Sequence, residues 1–176
     1  MALARVHGSE AGASFEILAR YESEDTRSHA EVMGPYAQAA LQDAGVRGED
    51  LDAILTGTGP GPFTGLRAGI VTARALGFAW SVPVYGMMSL TALAERAYQE
   101  RIFAQGGGAG GTEDAELLVA SDARRREVYS ARYRVNGEGY SLVDGPNVCP
   151  ASEILPGGAP SYAYGYGAGL YAAALE

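Results

Sequence analysis

Residues 57–69 read GTGPGPFTGLRAG, a loop of glycines and prolines that follows a short apolar run, LDAILTG, at 51–57. The loop leads into residues 64–80, where the spacing of apolar and small residues predicts a helix. VPVYG at 82–86 then predicts a second strand, which gives a strand–helix–strand unit. Such a glycine-rich turn can aim backbone N–H groups and a helix N-terminus at an anion. It also suits a helix that packs closely on its sheet, and both interpretations stay open.

Strands and helices alternate on both sides of this unit. Before it, alternating apolar residues predict a hairpin over 1–22, and a capping box of Ser28 and Glu31 opens a helix over 28–44. Pro35 predicts a kink in that helix or a later start of its regular part. After the unit, the patterns predict a helix at 88–103, strands at 116–123, 127–135, 140–149 and 162–165, and a helix at 167–175.

The glycine-rich segment QGGGAGG at 105–111 reads as a linker. It divides the predicted elements into a first subdomain over 1–104 and a second over 112–176. Each subdomain combines strands with helices, so the sequence predicts an α/β protein of two small subdomains with mixed sheets.

The residue types present exclude several chemistries. All 13 basic residues of this 176-residue chain are arginines, so a lysine-dependent P-loop or Schiff base cannot form. The two histidines, His7 and His29, and the single cysteine, Cys149, do not provide a clustered zinc site or an internal disulfide. The net charge of −8 argues against unaided binding to a phosphate backbone.

The sequence shows neither a signal-peptide pattern nor a stretch that is long and apolar enough for a membrane helix. A lone cysteine suits a reducing compartment. We therefore expect a cytoplasmic protein without membrane association.

Three segments resemble one family of bacterial proteins. ILTGTGPGPFTGLRAG at 54–69 resembles GxGPGSFTGLRIG, the signature of the tRNA threonylcarbamoyladenosine biosynthesis family TsaB (YeaZ), from which it differs at Pro62 and Ala68. TRSHAEVMGP at 26–35 resembles the family's R-x-H-S-E-x-L-x-P, and SDARRREVYSARY at 121–133 resembles its D-A-R-x-x-E-V-Y. The segments follow the family's order and spacing, so the resemblance covers about residues 1–170.

The resemblance implies the ASKHA fold of actin, Hsp70 and sugar kinases. TsaB proteins are non-catalytic relatives of TsaD, which transfers threonylcarbamoyl to N6 of adenosine 37 in tRNAs that read codons beginning with A. TsaB binds and activates TsaD through a bundle of the first two helices of each protein, and the ATPase TsaE joins the pair. By this resemblance the chain is a scaffold rather than an enzyme, with tRNA reached only through the complex. ATP and a metal ion are expected on the partner subunits. In isolation, this chain is expected to form a homodimer.

The catalytic relative holds its metal with H-x-x-x-H, whose i, i+4 spacing places two imidazoles on one helix face. The corresponding positions here are His29 and Met33, so one ligand is missing. The sequence therefore predicts no metal site. An alternative for His29 is a hydrogen-bonded residue at the start of its helix.

Two predicted helices, 28–44 and 64–80, carry the candidate partner-binding residues. Small residues recur every four positions along the second helix, which allows another helix to approach closely, and bulky substitutions at Gly69 or Ala73 are expected to block association. The alternative is that both helices cover the chain's own sheet. The candidates are His29, Met33, Tyr36, Leu41, Gly65, Arg67, Gly69, Ala73, Arg74 and Gly77.

A second set of candidates would line a nucleotide cleft of the ASKHA type. They come from the glycine-rich loop and from the turn after the strand at 116–123. The alternative for the turn is a charged hairpin, since no phosphate-binding lysine accompanies it. The set is Gly59, Gly61, Thr64, Asp122 and Arg124.

The sequence departs from the family pattern at both ends. Family members open with a strand followed by Asp-Thr-Ser, and they continue beyond the helix that begins near Gly167, so we expect the first strand and a C-terminal part to be missing. The first-subdomain sheet is then expected to have an unpaired position. An ASKHA ATPase or phosphotransferase remains an alternative that needs the missing Asp-containing loop. A glycoprotease-like peptidase would need a nucleophile–base or metal constellation, which we cannot assemble from these residues.

Overall fold

The computed structural model describes residues 1–8, 14–23, 29–104, 115–137, 139–154 and 160–172. The side chains of 29–30 and 101–104 are not part of that description, and the predicted linker at 105–111 lies outside it. The chain divides into two compact units. Unit 1 comprises Met1–Thr58 and Phe63–Gly86, and unit 2 comprises Gly59–Pro62 and Met87–Glu176.

Unit 1 opens with the predicted hairpin. Strand β1 (Ala2–His7) pairs antiparallel with β2 (Ser14–Arg20), which confirms the alternating pattern. Helix α1 (His29–Ala44) follows and includes Pro35. The helix therefore begins before the proline, and the predicted later start at Pro35 is wrong.

The strand–helix–strand unit is present as β3 (Ile54–Gly59), α2 (Phe63–Trp80) and β4 (Val84–Met88). Strands β3 and β4 are hydrogen-bonded neighbours. The β1–β2 pair and the β3–β4 pair are separate two-stranded sheets, rather than one continuous sheet.

Unit 2 is built on one four-stranded sheet in the order β7-β6-β5-β8. Strands β5 (Ala115–Arg124), β6 (Glu127–Asn136) and β7 (Gly139–Pro150) form the predicted antiparallel meander. Strand β8 (Tyr162–Tyr164) pairs parallel to β5. Helices α3 (Ser89–Ala104) and α4 (Tyr166–Leu170) complete the unit; the last residues of the helix predicted at 167–175 lie outside the described residues.

Strand β5 is the centre of the core because both of its faces are covered. Leu117 and Val119 pack on one side, in a cluster with Leu90 of α3 and Tyr133 of β6. Leu118 and its neighbours form a second cluster on the other side, with Ala120, Val128, Ala151, Ile154 and Ala168. The continuous apolar run ELLVA is typical of a strand that is buried on both faces.

Helix α3 belongs to unit 2. The sequence analysis places it in the first subdomain, whose predicted boundary is residue 104. The physical reason is packing. Leu90, Ala94 and Ala97 of α3 are buried in the same cluster as β5 and β6. A boundary drawn at the glycine-rich segment follows chain composition, which does not report which sheet the preceding helix covers.

Unit 1 buries only small side chains. The buried apolar residues of its described part are Ala37, Ala40, Ala73 and Val82. Its exposed large apolar residues include Val6, Phe15, Leu55, Val71 and Phe78. Within the described ranges, no helix has the length and apolar character needed to cross a membrane.

Candidate partner-binding surface

One side of α2 carries large apolar and basic side chains that the described part of the chain leaves in solvent. Phe63 is 69% exposed, Val71 65% and Phe78 90%. Arg67 and Arg74 are exposed on the same side of the helix. We call these five residues the α2 outer face. Large apolar side chains gathered on an exposed helix face mark an interaction site more often than a free surface.

The arginines of the α2 outer face add charge and an aromatic contact. The guanidinium of Arg67 lies 4.4 Å from the centroid of the Phe63 ring, a cation–π geometry. In the described residues, no carboxylate lies within ion-pair distance of Arg67 or Arg74. The face therefore presents two positive charges, unpaired within the described residues, beside three apolar side chains.

Two glycines of α2, Gly77 and Gly69, lie against strand residues of unit 1. A Cβ atom added at Gly77 would overlap the Val84 side chain and lie 2.9 Å from the carbonyl oxygen of Val82. Ala73 is 7% exposed, and a Cβ at Gly69 would meet Thr56 Oγ1 at 3.9 Å. At these two positions the structure agrees with the alternative that α2 covers its own strands, because close helix–strand packing needs small side chains. Binding of a partner by the stripe stays a prediction. Because Ala73 is buried, a larger side chain there would destabilise the fold as well as affect any partner binding.

A groove of about 480 Å³ lies between α2 and the β3–β4 pair and borders the α2 outer face at Arg74 and Phe78. Arg74 and Phe78 form its helical wall, and Thr58, Tyr85 and Gly86 of the β3–β4 pair lie among its strand residues. Phe78 belongs both to the α2 outer face and to the groove wall. A side chain that contacts Phe78 from outside can therefore also enter the groove.

The α1 candidates are less available than the α2 outer face. Met33, Tyr36 and Leu41 are half-buried. The Tyr36 ring packs on Tyr21, with 5.3 Å between the ring centroids. His29 begins the helix, and its side chain lies outside the described residues. Gly65 of α2 is also half-buried.

A hydrogen bond to an α1 residue changes the pKa of Tyr21, which follows strand β2. The hydroxyl of Tyr21 donates to the Asp43 carboxylate of α1. This hydrogen bond to a charged acceptor raises the pKa of Tyr21, because ionised Tyr21 could no longer donate. The bond helps to hold the hairpin against α1.

The cleft candidates are divided between the two units. Thr64 is exposed in the first turn of α2, in unit 1. In unit 2, Gly59 is buried, and the Gly61 carbonyl accepts a hydrogen bond of 3.5 Å from the Tyr129 hydroxyl. Tyr129 is the cross-strand partner of Ser121, next to Asp122, so unit 2 brings the glycine–proline loop near the Asp122 turn.

Sequence reasoning missed Tyr129. The sequence singles out Tyr129 only as part of the motif segment EVY at 127–129. The residue pattern does not indicate that its hydroxyl contacts the Gly61 loop, which lies 68 residues away in sequence.

Asp122 and Arg124 bind each other. The Asp122 side chain is 18% exposed, lies 3.7 Å from the Arg124 guanidinium and accepts a 2.9 Å hydrogen bond from the Arg124 backbone N–H. This arrangement is that of a closed hairpin turn. In the described ranges, no group of three or more His, Cys, Asp or Glu side chains could hold a metal ion.

Comparison with protein families finds a match to the model "TsaD: tRNA N6-adenosine threonylcarbamoyltransferase" over residues 16–169. An uncharacterized protein of Mycobacterium tuberculosis is 43% identical over 153 residues, which cover 84% of this chain and 63% of that protein. The tRNA threonylcarbamoyladenosine biosynthesis protein TsaB of Escherichia coli is 34% identical over 113 residues, covering 64% of this chain and 44% of that protein. The chain spans less than two thirds of the length of these relatives.

Among solved structures, YeaZ from Pseudomonas aeruginosa superposes with a TM-score of 0.68 and 31% identity, covering 99% of this chain and 75% of that one. This similarity confirms the predicted α/β fold of the ASKHA type. The family match, the TsaB relatives and the YeaZ structure agree with the three sequence motifs. The chain therefore belongs to the family of TsaD and TsaB (YeaZ) proteins.

Proposed function

We propose that this chain takes part in forming N6-threonylcarbamoyladenosine at position 37 of tRNA, as a non-catalytic scaffold that binds and activates a TsaD-type transferase. The observation that carries the proposal is the α2 outer face. It offers exposed aromatic and aliphatic side chains beside two arginines without described ion-pair partners. Aromatic residues and arginine are the types enriched at protein–protein interfaces.

In this proposal the transferase covers the α2 outer face with one of its own helices. An apolar side chain of the partner would contact Phe78 and enter the adjoining groove. Carboxylates of the partner would pair with Arg67 and Arg74. The half-buried side chains of α1, Met33, Tyr36 and Leu41, would form the margin of the interface.

ATP and a metal ion would act on the partner subunits, a transferase and a TsaE-type ATPase, and this chain would need no cofactor. The tRNA would be held by the complex. The names of the relatives support the pathway, because the Escherichia coli relative is called a tRNA threonylcarbamoyladenosine biosynthesis protein.

The test compares two equally drastic substitutions of exposed phenylalanines in unit 1. Phe78→Asp places a charge on the α2 outer face, whereas Phe15→Asp places one on β2, where Phe15 is 70% exposed. Co-purification and titration calorimetry with the transferase of the same organism measure association. We expect Phe78→Asp to weaken binding by about 30- to 900-fold, because truncating or charging a central anchor of an interface costs about 2–4 kcal/mol. Phe15→Asp should bind as the unmodified chain does.

Equal binding by the Phe78→Asp variant would contradict the assignment of the surface. A second copy of the chain is the competing occupant, so sedimentation of the isolated protein belongs to the same experiment. Loss of a homodimer without loss of transferase binding would assign the α2 outer face to self-association. Stimulation of the transferase in a tRNA modification assay then tests activation directly.

A further inference from the structure

Three successive arginines lie where β5 leads into β6: Arg124 ends β5, and Arg125 and Arg126 form the turn. Arg124, Arg125 and Arg126 all have exposed side chains, in a protein whose net charge is −8. The family motif D-A-R-x-x-E-V-Y leaves the second and third of these positions variable. Nothing in the proposed scaffold surface uses them, since the α2 outer face belongs to unit 1.

The backbone of this turn is strained at each arginine. The φ angles are +69° at Arg124, +53° at Arg125 and +67° at Arg126. Residues with a Cβ atom adopt this left-handed region as rare single residues, and glycine is the usual choice there. A chain with 25 glycines places arginine at all three positions, so the side chains are retained at a cost in stability. Strain that the sequence keeps in this way is a feature of functional segments.

Among the described residues, the nearby carboxylates form an ion pair with one of the three arginines. Asp122 is engaged with Arg124, by the ion pair and the backbone hydrogen bond described above. Glu127 and Glu153 lie at the base of the turn near Cys149, where burial raises the pKa of the thiol and both carboxylates raise it further. In the described part of the chain, no carboxylate forms an ion pair with Arg125 or Arg126.

The chemistry of the turn fits a polyanion better than a protein surface. The exposed large apolar side chains of the described residues include none from 122–127. A protein partner needs apolar area at the centre of its interface, whereas a phosphodiester backbone is bound mainly by arginine and lysine. The planar guanidinium groups of arginine can contact phosphate oxygens with two parallel hydrogen bonds.

We propose that the β5–β6 turn contacts the phosphate backbone of an RNA through Arg125 and Arg126. The inference rests on the proposed function, because that function brings a tRNA to the complex that contains this chain. It also changes one expectation from the sequence: the chain touches the RNA itself. The acidic remainder of the protein keeps this contact weak in isolation, so its effect is greatest when other subunits already hold the RNA.

The experiment measures tRNA binding by the full chain assembled with its transferase, using fluorescence anisotropy at several salt concentrations. Arg125→Gln/Arg126→Gln is compared with Arg20→Gln/Arg47→Gln, which removes the same charge from exposed positions of unit 1. We expect the turn variant to bind tRNA about tenfold more weakly. The slope of log K against log salt should fall by about 1 to 2. The control should match the unmodified chain, and both variants should still bind the transferase.

A glycine substitution separates contact from folding. Arg125→Gly relieves the strain at φ +53°, so we expect the melting temperature to rise by about 2–4 °C while tRNA binding weakens. A fall in melting temperature would show that Arg125 serves the fold, and would overturn the inference.

Unchanged tRNA affinity in the turn variant, or an equal loss in the control, would also overturn it. So would a turn variant that loses binding to phosphatidylserine vesicles or to polyglutamate but keeps its binding to tRNA. If the chain and the transferase do not assemble, the proposed function fails. The same variants are then compared for tRNA binding by the chain alone at low salt, which decides this inference separately.

Discussion

Unit 2 and unit 1 bury their apolar residues very differently. In unit 2 the central strand β5 is covered on both faces, and Leu90, Val119 and Val128 are completely buried. In the described part of unit 1 the strands occur as two separate pairs, and the buried apolar side chains are three alanines and one valine. Two-stranded sheets are marginally stable by themselves, because too little apolar area is removed from water.

This difference indicates a division of labour. The four-stranded sheet of unit 2 supplies most of the cohesive energy of the described chain, since buried leucine, valine and tyrosine contribute far more than buried alanine. Unit 1 leaves Phe63, Val71 and Phe78 in solvent, where they are available to a partner. We expect association to stabilise unit 1 more than unit 2, because a ligand stabilises the state that it binds.

The largest effect is expected from Leu118→Ala in unit 2. Leu118 is 1% exposed, so its truncation loses transfer free energy and leaves a cavity, at a cost of about 2–5 kcal/mol. The matched variant in unit 1 is Leu55→Ala, whose leucine is 61% exposed and should change stability by less than about 0.5 kcal/mol. Urea unfolding measures both. Equal losses would break the contrast between the units.

An intermediate effect is expected from glycines of α2. Gly77→Ala forces a methyl group into Val84, which should destabilise the protein by about 1–3 kcal/mol. Gly69→Ala meets only Thr56 Oγ1 at 3.9 Å, so the better helix propensity of alanine should stabilise it by up to about 1 kcal/mol. Thermal unfolding of both variants shows whether the small residues pack inward. A tolerated Gly77→Ala would argue that α2 does not rest on β4.

A smaller effect is expected at alkaline pH, from Tyr140 in unit 2. Burial, followed by a hydrogen bond to Glu95, raises the pKa of Tyr140 to about 12. An unfolded tyrosine ionises at about 10, so the folded state holds the proton more tightly, and stability falls as the pH rises from about 10 to 12.

Tyr140→Phe should therefore flatten the loss of stability between these pH values. The exposed Tyr85 of unit 1 provides the control, because Tyr85→Phe should leave the curve as it is. Urea midpoints measured from pH 8 to 11.5 check the prediction. Identical curves for all three proteins would show that Tyr140 is not shielded in unit 2.

Much of the fold could be predicted from local patterns. The alternation in β1 and β2, the buried run of β5, and the helix after the glycine–proline loop all follow from periodicity, which is a property of neighbouring residues. The assignment of α3 to the first subdomain, although it packs in unit 2, shows the limit of this reasoning. Which sheet Leu90 and Ala94 cover depends on residues that lie more than 20 positions away.

The candidate surface was predicted only in part. The sequence placed Arg67 and Arg74 on the helix that carries the exposed apolar side chains, but it gave weight to the small residues and none to Phe63, Val71 or Phe78. Exposure of an aromatic residue on a helix cannot be read from its spacing, because the same spacing also describes a buried face. Whether the surface binds a partner stays a prediction.

The sequence by itself determined the family, through three motifs in order, and the chemistry that the chain lacks, through the absence of lysine. Both follow from residue identity, which needs no coordinates. Only the tertiary structure decided that Gly77 faces Val84, that Phe78 faces solvent, and that Arg125 and Arg126 project from a left-handed turn. These properties depend on the direction of each Cα–Cβ bond relative to distant strands, which long-range packing sets.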